Sequence, residues 1–575
     1  MNTPVATPRP SHGRPASLVM DLERLGSMSP SRLSFARTLL RSMIENRWSV
    51  DRTQFALDEQ GFGEVIYRIT TPHQQYHVVI FAQPLADELR TDRVIAEAWD
   101  VTFCLVEGEV DSALSASLAA NIPLQEAGRQ HPQVLVISRA NKSVRNFAHF
   151  VAALSSGEQP DVGTLKRAGY LYRTTAVYGN GKFGIADYSR VQSNPDFSRP
   201  FSPQMAAVYI LRQFSIDQVE HIARCQAPDT AVTMDRELQR YVGIGNSTGL
   251  GMAPFLINHP QLIHQWIANR EHALRQASRE TPTSEDIATL QQKLAVVRQY
   301  FDETWIEDPE QAKRNLEVIN DIDLLSNQLN DYRPGQWSWS HLQESLREQA
   351  SLEMQELFNS LLIDLYPACT QGLEDQMAAD ESIELQPEMS LETLQLLLED
   401  QCAWAIHSTY EAPDERFWFW YKSIEKEEPR LGERGVDSGA EKELPLAVAP
   451  ALRALYQDLI AYRVDHADAL AVDFAIAHPE HLETLRRAQT MAQTEFGEIR
   501  SNLWHERMKP MHLLRAKLSF LGANRFDPKG DRWVRVTFFQ GSPLLSEVNE
   551  GAIDSARLDD WSFALAPKQS NSGHP

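Results

Sequence analysis

Gly63-Glu-Val-Ile-Tyr-Arg-Ile-Thr-Thr-Pro-His-Gln-Gln-Tyr-His-Val-Val-Ile-Phe81 holds two runs, 63–70 and 76–81, rich in β-branched and aromatic residues. Such residues fit a pleated, half-buried surface, and Pro72 falls between the runs, so the stretch predicts two strands joined as a hairpin. Upstream, Leu33, Phe35, Leu39, Leu40 and Met43 recur at near-helical spacing and predict a helix over 31–48. Downstream, helical 91–99 leads into the apolar run Val101–Val106, and helical 111–120 leads into Gln133–Ser138. A further helix is predicted over 144–154. Short strands alternating with short helices predict an α/β layer reaching to about residue 160.

Beyond that layer, Gly169 to Gly184 has two β-rich arms around Asn180-Gly181, a pair that tolerates φ > 0 and predicts a second hairpin. Helices are predicted over 204–213 and 216–225, with Ser215 and Gln218 at capping-box spacing. The glycine-rich stretch Tyr241–Pro254 comes next. Helices then dominate: 255–277, one capped by Thr283 and Asp286, 308–329, 341–366 and 391–407 suggest a bundle. The aromatic run Arg416–Lys422 interrupts them, 425–443 reads as an exposed loop, and helices return over 445–463, 465–477 and 481–507. Trp533–Phe539 is a strand placed to rejoin the first sheet. The fold class expected is therefore mixed α/β and α: an N-terminal α/β sheet region, then a large mainly helical region, with a late strand rejoining the sheet. Six segments follow from this reading: a disordered tail at 1–29, the α/β region at 30–165, and a hairpin, glycine-rich loop and helices at 166–280. A helical bundle at 281–415, a helical region with aromatic run, basic segment and final strand at 416–567, and a tail at 568–575 complete the chain.

Composition narrows the classes. The chain has 575 residues, 42% hydrophobic and 23% charged, as expected of a globular protein with a sizeable core. A formal net charge of −23 opposes general nucleic-acid or membrane-surface binding, both of which need positive potential. No run of about 18 apolar residues predicts a membrane span. Four scattered cysteines (Cys104, Cys225, Cys369, Cys402) form no CxxC pair, which points to a reducing cytoplasm rather than a disulfide framework.

Gly243, Gly245, Gly249 and Gly251 surround Asn246, Ser247 and Thr248 ahead of a helical segment. Two readings compete: an anion nest of backbone N–H groups at a helix start, and a tight turn that lets a helix pack closely. Thr248 stands where a dinucleotide motif would need its third glycine, and no Gly-Lys-Ser/Thr is present. Gly245-Asn-Ser247-Thr-Gly249 does satisfy the nucleophile-elbow pattern, and Asp473 and His505 follow in hydrolase order. In the predicted hairpin, Arg173 beside threonines can bind an anion bidentately, and Tyr178 and Lys182 straddle the turn as a candidate acid/base pair. Between Arg500 and Arg535 nine Lys/Arg face three acids, an excess suited to an electropositive wall with Arg507, and with His505 or His512 as proton carrier; ion pairing within the chain is the bland alternative. The run Phe417–Tyr421 reads as core or interface packing, or as a stacking surface. The His73/His77 and His478/His481 pairs lack a third ligand at diagnostic spacing, so no metal is expected.

The leading expectation is a cytoplasmic enzyme acting on a small carboxylate- or phosphate-bearing metabolite by metal-independent acid/base chemistry. Tyr178, Ser247 and His505 are its candidate catalytic residues; Arg173, Lys182, Gly245, Asn246, Thr248, Gly249 and Arg507 its candidate binding residues. No cofactor is indicated by any motif, and neither nucleic acid nor membrane is an expected partner. The alternatives are a non-catalytic helical scaffold for protein partners and a serine hydrolase using Ser247.

Overall fold

The computed structural model describes residues 13–89, 98–124, 131–177, 193–249, 260–332, 335, 338–377, 385–407, 418–422, 429–433, 444–445, 448–491, 493–497, 510–529, 533–551 and 561–568. Its strands are β1 (Ser49–Leu57), β2 (Gly63–Thr70), β3 (Gln75–Ala82), β4 (Val101–Glu107), β5 (Val134–Lys142), β6 (Tyr170–Thr174) and β7 (Gly243–Gly249). They continue with β8 (Trp418–Lys422), β9 (Pro429–Glu433), β10 (Leu444–Pro445), β11 (Arg525–Pro528) and β12 (Trp533–Phe538). Nine of them form one sheet in the order β1-β2-β3-β4-β5-β6-β7-β12-β11; β10, β8 and β9 make a small second sheet. The predicted hairpin is present as β2 and β3, with Thr70 opposite Gln75. The late strand β12 does rejoin the sheet, against β7.

Alternation along the strands divides the core between two faces. Tyr67 and Ile69 of β2, Val78 and Ile80 of β3, and Phe103 and Leu105 of β4 enter the main core. Their neighbours Ile66, Val79, Phe81, Cys104 and Val106 pack instead against Leu114, Leu118 and Ile122, around the helix Ser112–Asn121. The edge strand β1 escapes sequence detection because most of its side chains are exposed and polar, so it has no apolar alternation to read.

One buried helix, Ser202–Gln226, backs the main core face. Two helices with a cap at Ser215 were expected here. The segment contains no internal Pro or Gly after Pro203, and the Ser215 hydroxyl donates back to the Arg212 carbonyl at 2.7 Å inside the continuous helix. Arg212 ties this helix to the far end of the chain without a carboxylate. Its guanidinium donates to the carbonyls of Val242 (2.6 Å), Gln239 and Arg240 (both 3.0 Å) and Pro543 (3.0 Å). Burial pushes its pKa down to about 10, so it stays charged at neutral pH.

The helices Pro260–Ala277, Ser284–Glu303, Pro309–Asn330, Trp339–Gln349 and Leu352–Leu365 surround a second core that includes Leu290, Leu294, Val318, Ile322, Trp339 and Phe358. The expected Thr283–Asp286 capping box is present. The single helix expected over 341–366 is broken, because Ser351 caps a new start by accepting the Met354 N–H at 3.3 Å. Leu391–Gln401, Val448–Asp465, Ala471–Ala477 and Leu482–Met491 pack onto the main core instead. Among the described residues no helix is long and apolar enough to cross a membrane.

Two further expectations need correction. The tail at 1–29 ends early: from Gly13 the chain is packed, with Val19, Met20, Leu25 and Met28 buried and Asp21 capping the short helix Leu22–Leu25. The Pro/Arg-rich opening residues dominated the composition and hid this apolar spacing. The exposed loop read over 425–443 contains strand β9.

Candidate functional site

The sequence-predicted site falls at one end of the large sheet. β6 and β7 are neighbours, and Arg173 stands opposite Gly245 in the only parallel pairing among the described residues of that sheet. β5 occupies the other edge of β6, so Tyr170–Thr174 is an interior strand and not an arm of a local hairpin; Tyr178, Lys182 and the Asn180-Gly181 turn lie outside the described residues. The anion-binding loop read from the glycine-rich stretch is corrected over 243–249: this is strand β7, with β6 on one edge and β12 on the other. Paired on both edges, its backbone is committed to the sheet instead of forming a nest at a helix start.

Gly243 and Gly245 serve packing. A Cβ at Gly245 would fall 2.4 Å from the Tyr170 ring, and one at Gly243 would fall 2.5 Å from Thr537 Cγ2 and 2.7 Å from the Phe538 carbonyl. Neither has a positive φ, so close approach and not backbone freedom explains the choice. Asn246 is buried; the side chains of Ser247, Thr248 and Gly249's neighbours beyond the strand, together with His505 and Arg507, lie outside the described residues.

Charge gathers beside Tyr170. Burial raises its phenol pKa, opposed by Arg535, Arg173 and Arg525 and reinforced by Asp527. The described part of the basic segment is largely turned inward. Lys529 pairs with buried Asp527 at 2.8 Å and with Glu307 at 2.9 Å, Arg515 pairs with Glu353 at 2.5 Å, and Arg525 donates to the Trp305 carbonyl at 3.1 Å. Arg515 and Lys529 are thus ion-paired within the chain, as the alternative expects, while Arg500, Arg507, Lys509 and Arg532 lie outside the described residues.

A second locus was not anticipated. A cavity of about 430 Å³ lies between the N-terminal segment and the helices Pro260–Ala277, Trp339–Gln349 and Leu352–Leu365. That volume falls in the range of small-ligand sites, roughly 300–1,000 Å³. Five guanidinium groups line it (Arg14, Arg24, Arg275, Arg279, Arg347) against two carboxylates, Glu271 and Glu344. Leu18, Leu274, Leu346 and Phe358 add apolar wall.

The cations divide into paired and unpaired. Arg14 clamps Glu271 (2.6 Å) and Glu356 (2.5 Å), Arg24 reaches Glu356 at 2.8 Å, and fully buried Arg270 closes the network on Glu356 at 2.8 Å. Burial acts to raise the Glu356 pKa, but Arg14, Arg270 and Arg24 outweigh it and hold the carboxyl well below its usual range. Burial likewise works against charge on Arg14, and Glu356 and Glu271 reverse it, leaving the guanidinium pKa raised. Arg347 pairs with Glu344 at 2.6 Å.

Arg275 and Arg279, one helical turn apart, meet no carboxylate within ion-pair distance among the described residues. The Nε of Arg275 is buried without a hydrogen-bond partner, and a Cβ at Gly13 would come within 3.2 Å of it. Arg275 is half-buried and Arg279 exposed, both at the C-terminal end of Pro260–Ala277, where the helix dipole favours positive charge. Beside these cations, Ser278 donates to Gln343 (3.0 Å), which donates to Asn359 (2.9 Å), placing a fixed polar ladder along the wall.

Compared with known proteins, the chain matches no family model, no curated protein and no solved structure. The functional reading therefore rests on these geometries alone. Sequence reading missed the cavity because its cations are scattered from Arg14 to Arg347 on four elements. The one local signal was Arg275 and Arg279 at i, i+4, which place both cations on one side of a helix end.

Proposed function

We propose that this protein binds a small carboxylate- or phosphate-bearing molecule in the arginine-lined cavity. The observation that carries the reading is the excess of five guanidinium groups over two carboxylates around the cavity, with Arg275 and Arg279 in no ion pair among the described residues. Planar guanidinium groups bind carboxylate and phosphate bidentately, and the Leu274, Leu346 and Phe358 wall suits a ligand with an apolar part. The four cysteines are all free thiols, which supports a reducing, cytoplasmic setting.

The test is thermal denaturation against carboxylic acids, sugar phosphates, nucleotides and acyl-CoA esters. One class is expected to raise the midpoint, and Arg275→Ala to abolish the rise. A rise unchanged in Arg275→Ala would place the ligand elsewhere.

A second reading keeps the acid/base enzyme, with Tyr178, Ser247 and His505 as its catalytic residues. It is favoured by the Arg173–Gly245 pairing, because ligands of α/β sheets gather outside the carboxyl ends of parallel strands. In the same panel, a rise lost in Arg173→Ala and kept in Arg275→Ala would select this reading. Covalent labelling of Ser247 by a fluorophosphonate would select its serine-hydrolase form.

A further inference from the structure

The helical region holds a second cluster of ligating side chains, remote in sequence from both loci above. Ala471–Ala477 ends at His478, and Pro479–His481 forms a single 3-10 turn leading into Leu482–Met491. Pro479 favours this tight turn by fixing its own φ at the first position. With three residues per turn, positions i and i+3 eclipse, so His478 and His481 come to one side, their rings 6.1 Å apart. Glu480 curls back to put Oε1 3.2 Å from His478 Nδ1. Val448–Asp465 packs alongside and supplies Asp458, whose Oδ2 lies 2.7 Å from His481 Nε2. Ligand atoms of Asp458, His478 and Glu480 all fall within 4.8 Å of one another.

We propose that Asp458, His478 and Glu480 bind a divalent transition-metal ion, with zinc as the first candidate. One imidazole nitrogen and two carboxylate oxygens form a mixed donor set that suits zinc and its first-row neighbours, with water completing the shell. Metal–donor bonds of about 2.0–2.2 Å put tetrahedral donor pairs about 3.4 Å apart, so the cluster must contract by up to about 1.4 Å at its widest. The Glu480 side chain, 60% exposed, has room to move in such a contraction. The supporting groups are already set. His481 holds one Asp458 oxygen and leaves the other to ligate, the outer-sphere role that orients carboxylate ligands. Phe474 stacks on the His478 ring at 4.8 Å and Tyr462 meets it edge-on at 5.7 Å, fixing its plane. A bound ion would join Val448–Asp465 to the turn between the two following helices.

The experiment is calorimetric titration of Zn²⁺ into the chelator-stripped full chain, repeated with Co²⁺ to read its visible bands. Wild type is expected to bind one more equivalent than Glu480→Gln or His478→Ala, and to give the d–d bands of a low-coordinate cobalt site. Loss of a ligand should weaken that equivalent by at least about tenfold, since even outer-sphere changes weaken metal sites by 10–100-fold. Equal stoichiometry and affinity in wild type and Glu480→Gln, whose exposed position spares the fold, would overturn the proposal. So would the absence of any Zn²⁺ binding by the wild type.

Discussion

Protonating His264 should unfold the junction between Pro260–Ala277 and the segment that follows Leu482–Met491. The imidazole Nδ1 accepts the Phe496 backbone N–H at 2.9 Å, and its ring stacks on that of Phe496 at 6.0 Å. Burial lowers the His264 pKa from 6.5 to about 4, so the native ring is neutral and keeps its lone pair for Phe496. Because the folded pKa lies below the unfolded one, the unfolded chain binds more protons between pH 6.5 and 4. The contribution is complete above about pH 6.5 and is lost as pH falls toward 4. The full shift of 2.5 units, at 1.36 kcal/mol each, corresponds to about 3 kcal/mol, of which about 2.5 is lost by pH 4.5. The assay is urea unfolding of wild type and His264→Gln at steps from pH 7.5 to 4.5. Glutamine can accept the Phe496 N–H but does not titrate, so the stability difference between the two should shrink by about 2.5 kcal/mol on acidification. Parallel stability curves over that window would refute the reasoning.

Two substitutions probe the packing. Glu356→Gln leaves Arg14, Arg24 and Arg270 facing Glu271 alone, and breaking so buried a network should cost about 3–5 kcal/mol. Calorimetry should show a clearly lowered midpoint; a loss below about 1 kcal/mol would contradict the assignment of Glu356 as the centre of the network. Gly245→Ala drives a methyl into the Tyr170 ring and should cost about 1–3 kcal/mol. Combined with Tyr170→Ala the loss should fall short of the sum of the two singles, and strict additivity in denaturant titrations would show that the ring is not what excludes the methyl.

Elements with a strong local pattern were legible in the sequence. The β2–β3 hairpin has β-branched runs around Pro72, and the helix after Thr283 carries its capping box, so both were readable from neighbours in sequence. The late strand rejoining the sheet was legible as a lone β-rich run among helices. Strand β1 was not, because an edge strand needs no apolar side on its solvent face. The glycine-rich stretch misled for a different reason. Glycine allows a ligand to approach and equally allows a ring to approach, and only the position of Tyr170 distinguishes the two. The candidate cavity was illegible because its charges are gathered by tertiary packing of Arg14, Arg24, Arg275 and Arg347 from distant elements. Of the site read from sequence, only the proximity of Arg173 to Gly245 was within reach of pattern, through the strand character of their two runs.

The most direct test of anion binding is titration calorimetry of the best ligand from the thermal panel into wild type, Arg275→Ala and Arg279→Ala. A charge-assisted hydrogen bond contributes about 1.5–3 kcal/mol, so each substitution should weaken binding by roughly 10- to 150-fold while a distant control, Arg298→Ala, leaves it unchanged. Equal affinity in wild type and Arg275→Ala would contradict the account, and the arginine lining of the cavity would then be a feature of packing alone.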